Sequence, residues 1–338
     1  MRKYRKQEHL ENFLKASFQS STLFEDVFLY HDAISNLSFK EIDTSTIFLG
    51  KEISFPFMIN AITGGNEYAN GINKDLANLA KELNIPIAVG SQKIALDDPD
   101  VEDSFKVVRE YCKDGIVIAN LSALSSADEA QAAIDMIGAN AIQLHLNVAQ
   151  ELVMQEGDRD FTTLHESIKA IINTVSVPVI LKETGTGLSG AAAKGLYDLG
   201  VKYVDISGSG GTNFIEIEDL RNPHLEINEL YGWGIPTALS LYEVVNLGME
   251  DLNIVSSGGI KNALDVAKSM VMGAHMTAGS GELINYLIRG GYDISLDYLE
   301  SMKNKFAMVM MLQGASNLSE LKNVRYKITG RLKELIDN

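Results

Sequence analysis

The sequence predicts an α/β protein, a single (β/α)8 TIM barrel with an N-terminal extension and C-terminal helices. Three observations carry this. From Phe55 onward, apolar runs alternate with amphipathic helical segments at a spacing of roughly 30 residues, the rhythm of βα units on a parallel sheet. The apolar runs number eight, at 57–62, 85–89, 115–120, 141–147, 177–182, 203–207, 252–256 and 275–278. Each run ends in a glycine or small polar cluster, and parallel α/β folds gather their chemistry at the carboxyl ends of strands. An open doubly wound sheet is the alternative.

In chain order, residues 1–54 read as an extension that caps or lids the barrel. HLENFLKASF has apolar residues at helical spacing, while 24–29 and 42–49 are short and mixed. The barrel occupies 55–315. Its helices are expected at 73–83, 101–111, 127–137, 161–175, 191–199, 236–247 and 263–272, where apolar residues recur on one face. After Gly281 the pattern stays helical, first over 283–288 and then over 296–312. The tail, 316–338, ends in KITGRLKELIDN, expected to be helical.

The 338-residue length suits one barrel of about 250 residues plus extensions. With 46 % hydrophobic residues and a mean hydropathy near zero, the chain reads as globular. A net charge of −16 argues against nucleic acid and anionic membrane as partners. No apolar run reaches the ~18–20 residues of a membrane span. The single cysteine, Cys112, allows no disulfide framework, and a cytoplasmic setting is expected. The basic start (Arg2, Lys3, Arg5, Lys6) lacks the apolar core of a secretory signal.

Strand-end clusters are the candidate site. They include Thr63-Gly64-Gly65, Gly90-Ser91-Gln92, Asn120-Leu121-Ser122, Lys182-Glu183-Thr184-Gly185 and Ser207-Gly208-Ser209-Gly210-Gly211-Thr212. One such cluster could be only a βα turn and a helix cap. All of them together form a rim where backbone N–H groups can approach a ligand. Ser257-Gly258-Gly259 and Gly279-Ser280-Gly281 follow the last two strands, the place where barrels bind phosphate. Lys182 ends an apolar run, so it either pairs with a carboxylate such as Glu183 or meets an anionic ligand. At the end of the fourth strand, QLHLNVAQE sets His145 and Asn147 on one strand face, followed by Gln150, Glu151 and the turn EGDRDF. His145 could equally be a hydrogen-bonded core histidine, and Glu151 a solvated helix-start residue. The only tryptophan, Trp233, lies near the expected barrel mouth, as an apolar wall or as loop packing.

The motifs RKQEHL, AITGG, VGSQ, ANLSA, QLHLNVAQE with EGDRDF, PVILKETGTGLS, VDISGSGGTNF, GWGIPT, SSGGI and AGSG make the chain resemble the type 2 isopentenyl-diphosphate isomerases, FMN-dependent relatives of the FMN-binding TIM barrels. The resemblance runs from Arg5 to at least Gly281. It departs at Ile62, where methionine usually precedes TGG, and at Gln155, where proline usually precedes EGDR. By position, it implies FMN contacts at Ala61, Ile62, Thr63, Ser91, Asn120, Lys182, Ser207 and Thr212, with the phosphate against Gly258, Gly259, Ala278 and Gly279. It implies a substrate diphosphate at Arg5, Lys6 and His9, Gln150 facing the isoprenoid and Glu151 holding Mg2+. Gln150, His145, Asn147 and Lys182 are then the expected catalytic group.

The implied reaction interconverts isopentenyl diphosphate and dimethylallyl diphosphate by 1,3-allylic proton transfer in isoprenoid biosynthesis. Reduced FMN would act as acid and base, with NADPH or NADH only priming it. A homo-oligomer, tetramer or octamer, is also implied. Three rival readings stand beside it. A hydroxy-acid oxidase or dehydrogenase would need a histidine base and an arginine after the later strands, and neither stands there. A nucleotide dehydrogenase of the inosine-monophosphate type needs a loop cysteine, and Cys112 is misplaced. A non-catalytic flavin- or phosphate-binding protein would be separated by turnover.

Overall fold

The computed structural model describes residues 8–9, 11–222 and 226–337. Eight parallel strands close into a barrel: β1 (Phe57–Ile59), β2 (Ile87–Ala88), β3 (Val117–Ser122), β4 (Ala141–Leu146), β5 (Val179–Glu183), β6 (Tyr203–Asp205), β7 (Asn253–Ser257) and β8 (Met276–Gly279). Consecutive strands pair in parallel, and β8 pairs with β1 to complete the ring. Each expected apolar run overlaps one of these strands. Expected helices are also present, among them Ala127–Ile137, whose Ser126 and Glu129 form a capping box.

Alternation along the strands sorts residues into two cores. Phe57, Ile59, Val117, Ala119, Leu121, Ile142, Leu144 and Leu181 face outward and pack under the helices. Met58, Ile118, Ala141, Ile180, Val255 and Met276 face inward and fill the lower barrel. Above that apolar plug the inward positions become polar: Asn60, Asn120, Gln143, Lys182, Asp205 and Ser257 are all buried. The fold therefore sets a polar layer on an apolar floor, at the carboxyl ends of the strands.

The extension reaches both ends of the barrel. Strands Thr46–Phe48 and Lys51–Ile53 make a hairpin, and its Phe48 and Ile53 join the inner apolar cluster at the bottom. At the top, Phe13, Ala16, Phe18 and Gln19 line the mouth. The C-terminal tail differs from the helical expectation. Tyr326–Ile328 forms a strand antiparallel to Val27–Leu29, and the helix begins only at Gly330. A β-pairing partner 297 to 301 residues away in the chain (Leu29 with Tyr326, Val27 with Ile328) is invisible to local periodicity. The helix Gly281–Leu312 is broken at Gly291, with φ 80 and ψ −171, between the two helical segments expected there.

Candidate active site

A cavity of about 430 Å3 opens at the carboxyl ends of the strands. It is lined by His9, Ala61, Ile62, Ser91, Asn120, His145, Asn147, Gln150, Glu151, Lys182, Ser207, Thr212, Gly258, Gly259, Ala278 and Gly279. Thr63 lines a small adjoining pocket of about 80 Å3, shared with His9, Ile62 and Thr212. Arg5 and Lys6 lie outside the described residues. Trp233 is 66 % exposed and is not among the lining residues.

β4 builds one part of the wall. Its inward residues end in His145, opposite Lys182 on β5. After Leu146 the chain turns at Asn147 into the short helix Val148–Val153, which carries Gln150 and Glu151 over the mouth. The EGDR turn then folds back on that helix. Gly157 packs so close to it that a Cβ would lie 2.1 Å from the Glu151 carbonyl oxygen. Arg159 ties the turn down by donating to the carbonyls of Glu151, Gly157 and Met154. The result is a fixed carboxylate: Glu151 Oε1 accepts from Asn147 Nδ2 at 2.8 Å, and Oε2 accepts from the Asp158 N–H at 2.8 Å.

The flavin-side residues meet from other strands. Lys182 is only 8 % exposed. Its Nζ donates to the Glu183 carbonyl at 2.6 Å and to Ser207 Oγ at 3.2 Å. The Glu183 carboxylate is used elsewhere, accepting from Thr186 N–H at 2.6 Å and Oγ at 2.7 Å and from Gly187 N–H at 2.9 Å. Burial nevertheless pushes its pKa up, against those donors and the nearby Lys182 charge. Gly258 and Gly259 have φ of 97 and 79, a region that favours glycine. Beside them starts the long helix Gly281–Leu312, whose N-cap Ser280 makes no side-chain cap. Its first N–H groups have no partner within the helix, which is the property of an anion site.

Two groups escaped the sequence reading. The first is a pair of buried glutamates on the helix Phe214–Arg221. Glu216 accepts from the N–H groups of Ser17 at 2.8 Å and Phe18 at 3.1 Å, holding the extension over the mouth. Glu218 is 1 % exposed; Oε1 accepts from Gln150 Nε2 at 2.9 Å and lies 2.8 Å from His9 Nε2, and Oε2 accepts from Arg221. Burial raises the Glu218 pKa, but His9, Gln150 and Arg221 outweigh it and the net shift is downward. Arg221 also bridges Glu8 and Glu156, at 3.1 and 2.9 Å. The available signal was IEIEDLR, in which glutamates alternate with apolar residues inside one helix; buried glutamates need partners. The second is the pair Asn60 and Asp205, single polar residues at the ends of apolar strand runs, which join Gln143 from the polar face of β4 in a buried inward layer.

The residues fit the expected ligands. A glycine rim, an uncapped helix N-terminus and a buried lysine suit a flavin phosphate and an electron-rich ring edge. Among the described residues no group of three His, Cys, Asp or Glu could hold a metal. One carboxylate with lone pairs to spare suits Mg2+, which takes one or two protein carboxylates plus phosphate oxygens and water.

Comparison with known proteins follows the same line. The family model of the FMN-dependent dehydrogenases matches residues 118–327. The isopentenyl-diphosphate delta-isomerase of Listeria welshimeri is 38 % identical, covering 99 % of this chain and 94 % of its own. That of Moorella thermoacetica is 39 % identical, with 98 % and 95 % covered, and that of Bacillus pumilus 41 %, with 96 % and 92 % covered. Among solved structures, a mandelate oxidase variant with a monooxide FMN adduct superposes with a TM-score of 0.66 at 17 % identity, covering 91 % of this chain and 90 % of that one. Another mandelate oxidase variant, with (S)-mandelic acid, gives 0.68 at 17 % identity, with 95 % and 94 % covered. At that identity the likeness shows the fold alone.

Proposed function

Because the chain belongs to the isopentenyl-diphosphate delta-isomerases, within the wider FMN-dependent dehydrogenase family, we propose that it interconverts isopentenyl diphosphate and dimethylallyl diphosphate by a 1,3-allylic proton transfer. One observation carries the reading. Ala61, Lys182, Ser207 and the glycine rim, expected at FMN, line the same cavity as His9, Gln150 and Glu151, expected at the diphosphate, the alkene and Mg2+.

An unactivated alkene is a poor base, so its protonation needs a strong acid in a site closed to water. When bound, reduced FMN supplies the proton carrier and an electron-rich ring. The chain's residues bind, orient and exclude water. Lys182 holds a fixed positive charge beside the flavin position, steadied by Ser207 and the Glu183 carbonyl. Glu151 would hold Mg2+ against the diphosphate, with Asn147 steadying its carboxylate. His9 and His145 stand at the diphosphate end, joined in this proposal by Arg5 and Lys6. Gln150, anchored on Glu218, orients the isoprenoid. Phe13 and Phe18, held down through Glu216, give the mouth an apolar lip.

The proposal includes NADPH or NADH as a priming reductant, a homo-oligomeric state and a cytoplasmic setting. No described helix is long and apolar enough to cross a membrane. The test is an anaerobic assay with FMN, Mg2+, dithionite and isopentenyl diphosphate. Many turnovers per reduced flavin are expected. Absence of dimethylallyl diphosphate, or, with NADPH in place of dithionite, one NADPH consumed per product, refutes the reading.

A further inference from the structure

A chain of buried side chains runs beneath the cavity. It starts at Asp205, which is wholly buried. Its carboxylate accepts from Asn60 Nδ2 at 2.8 Å, from the Ser257 hydroxyl and from the Ser207 N–H at 3.3 Å. Gln143 Nε2 donates to Asn60 Oδ1 at 3.0 Å. Asn120 Nδ2 donates to Gln143 Oε1 at 3.2 Å. The far end of Asn120, Oδ1, faces His145 Nδ1 at 3.1 Å.

The direction of such a chain needs a chemical anchor, because an amide can be turned end for end. Asn60 has two. The Ala61 N–H, which can only donate, meets Asn60 Oδ1 at 2.9 Å. A carboxylate, which only accepts when ionised, meets the other end. Turning Asn60 would set N–H against N–H on one side and oxygen against oxygen on the other. Gln143 must then present Nε2 to Asn60 and Oε1 to Asn120. Asn120 in turn must present Oδ1 to the imidazole. In a buried layer a mismatched donor or acceptor has no water to turn to and carries the full cost of its desolvation, so each amide passes its orientation to the next.

We infer that Asp205, acting through Asn60, Gln143 and Asn120, sets the tautomer of His145: Nδ1 carries a proton in both charge states, and Nε2 is the atom that gains and loses one. Asp205, Asn60 and Gln143 are positioning residues for this cavity-lining imidazole. The tautomer does not depend on the function proposed above.

The experiment uses the FMN-loaded protein containing histidine labelled with the heavy nitrogen isotope. The chain has 6 histidines, and His145→Gln assigns the resonances. Long-range proton–nitrogen spectra, recorded above the pH at which the ring titrates, separate pyrrole-type from pyridine-type nitrogens. Expected is a pyrrole-type Nδ1 and a pyridine-type Nε2. A pyridine-type Nδ1 overturns the inference, whether or not the protein turns over substrate. Lost turnover with the expected spectrum counts against the isomerase reading alone. The relay is then cut at its middle. Gln143→Met keeps the volume and removes both polar ends, and a mixture of tautomers is expected. Gln143→Glu keeps the acceptor for Asn120 Nδ2 and should retain the Nδ1–H form. Unchanged spectra in the methionine variant, or loss of the Nδ1–H form in the glutamate variant, refute the relay. Flavin absorbance and circular dichroism verify folding; if the methionine variant does not fold, the wild-type and glutamate spectra decide.

Discussion

Gln150 donates to the Glu218 carboxylate at 2.9 Å, joining the short helix after β4 to the helix after β6 across 68 residues of chain. The same carboxylate lies 2.8 Å from His9 Nε2 and accepts from Arg221. One buried charge thus fixes three elements around the mouth: the extension, the β4 wall and the β6 helix. Burial raises its pKa, and His9, Gln150 and Arg221 together outweigh that and hold it below the usual carboxylate value.

Glu218→Gln is therefore predicted to destabilise the protein by about 1–3 kcal/mol near neutrality. The folded-state pKa is depressed, so the stabilisation is present above the unfolded value of about 4.3 and is lost as pH falls through the folded value. Thermal melting of wild type and variant against pH should show a gap at pH 7 that closes on the acid side of about pH 4. A gap that persists into acid would show that the charge is not its source.

Lys182→Ala removes the buried cation beside the flavin position. Loss of a charged hydrogen bond is worth about 1.5–3 kcal/mol, so reduced-FMN affinity should fall roughly ten- to hundredfold. Anaerobic titration followed by flavin absorbance measures it. Unchanged affinity together with an unchanged rate would refute the placement of this side chain.

Glu151→Gln should leave FMN binding intact and reduce Mg2+-dependent turnover. Its partners, Asn147 Nδ2 and the Asp158 N–H, both donate to a carboxylate, so the amide also faces one mismatched contact. A fall in kcat/KM of more than about tenfold is expected, since metal positioning is worth several kcal/mol. Equal Mg2+ dependence in variant and wild type would assign the ion to other ligands.

Gly258→Ala tests the rim. The φ of 97 alone costs about 1–2 kcal/mol for a residue with a Cβ. That Cβ would also lie 2.0 Å from the Gly208 carbonyl oxygen, forcing the ends of β6 and β7 apart. Reduced flavin retention on desalting and a lower Tm are expected together. Wild-type behaviour in both would mean that the two loops can separate freely.

Periodicity made the barrel legible because a strand buried on one face and a helix with one apolar stripe each write their own period into the chain. The eight strands and the helix Ala127–Ile137 could be read that way. So could the rim, because glycines and small polar residues recur at every strand end, and because long motifs such as QLHLNVAQE and PVILKETGTGLS carried a family resemblance to positions that prove to share one cavity. Local pattern has no access to partners distant in sequence. The pairing of Val27–Leu29 with Tyr326–Ile328 depends on a meeting of the two chain ends. Glu218 has no role in the local pattern, and only folding brings His9, Gln150 and Arg221 to it. The orientation of Asn120 is decided at Asp205, through two other amides, because a hydrogen bond has a direction only once both of its ends are known. Period and motif were enough to bring the strand-end residues around one cavity; only the fold shows how those residues are held, charged and turned, because their partners lie far away in the chain.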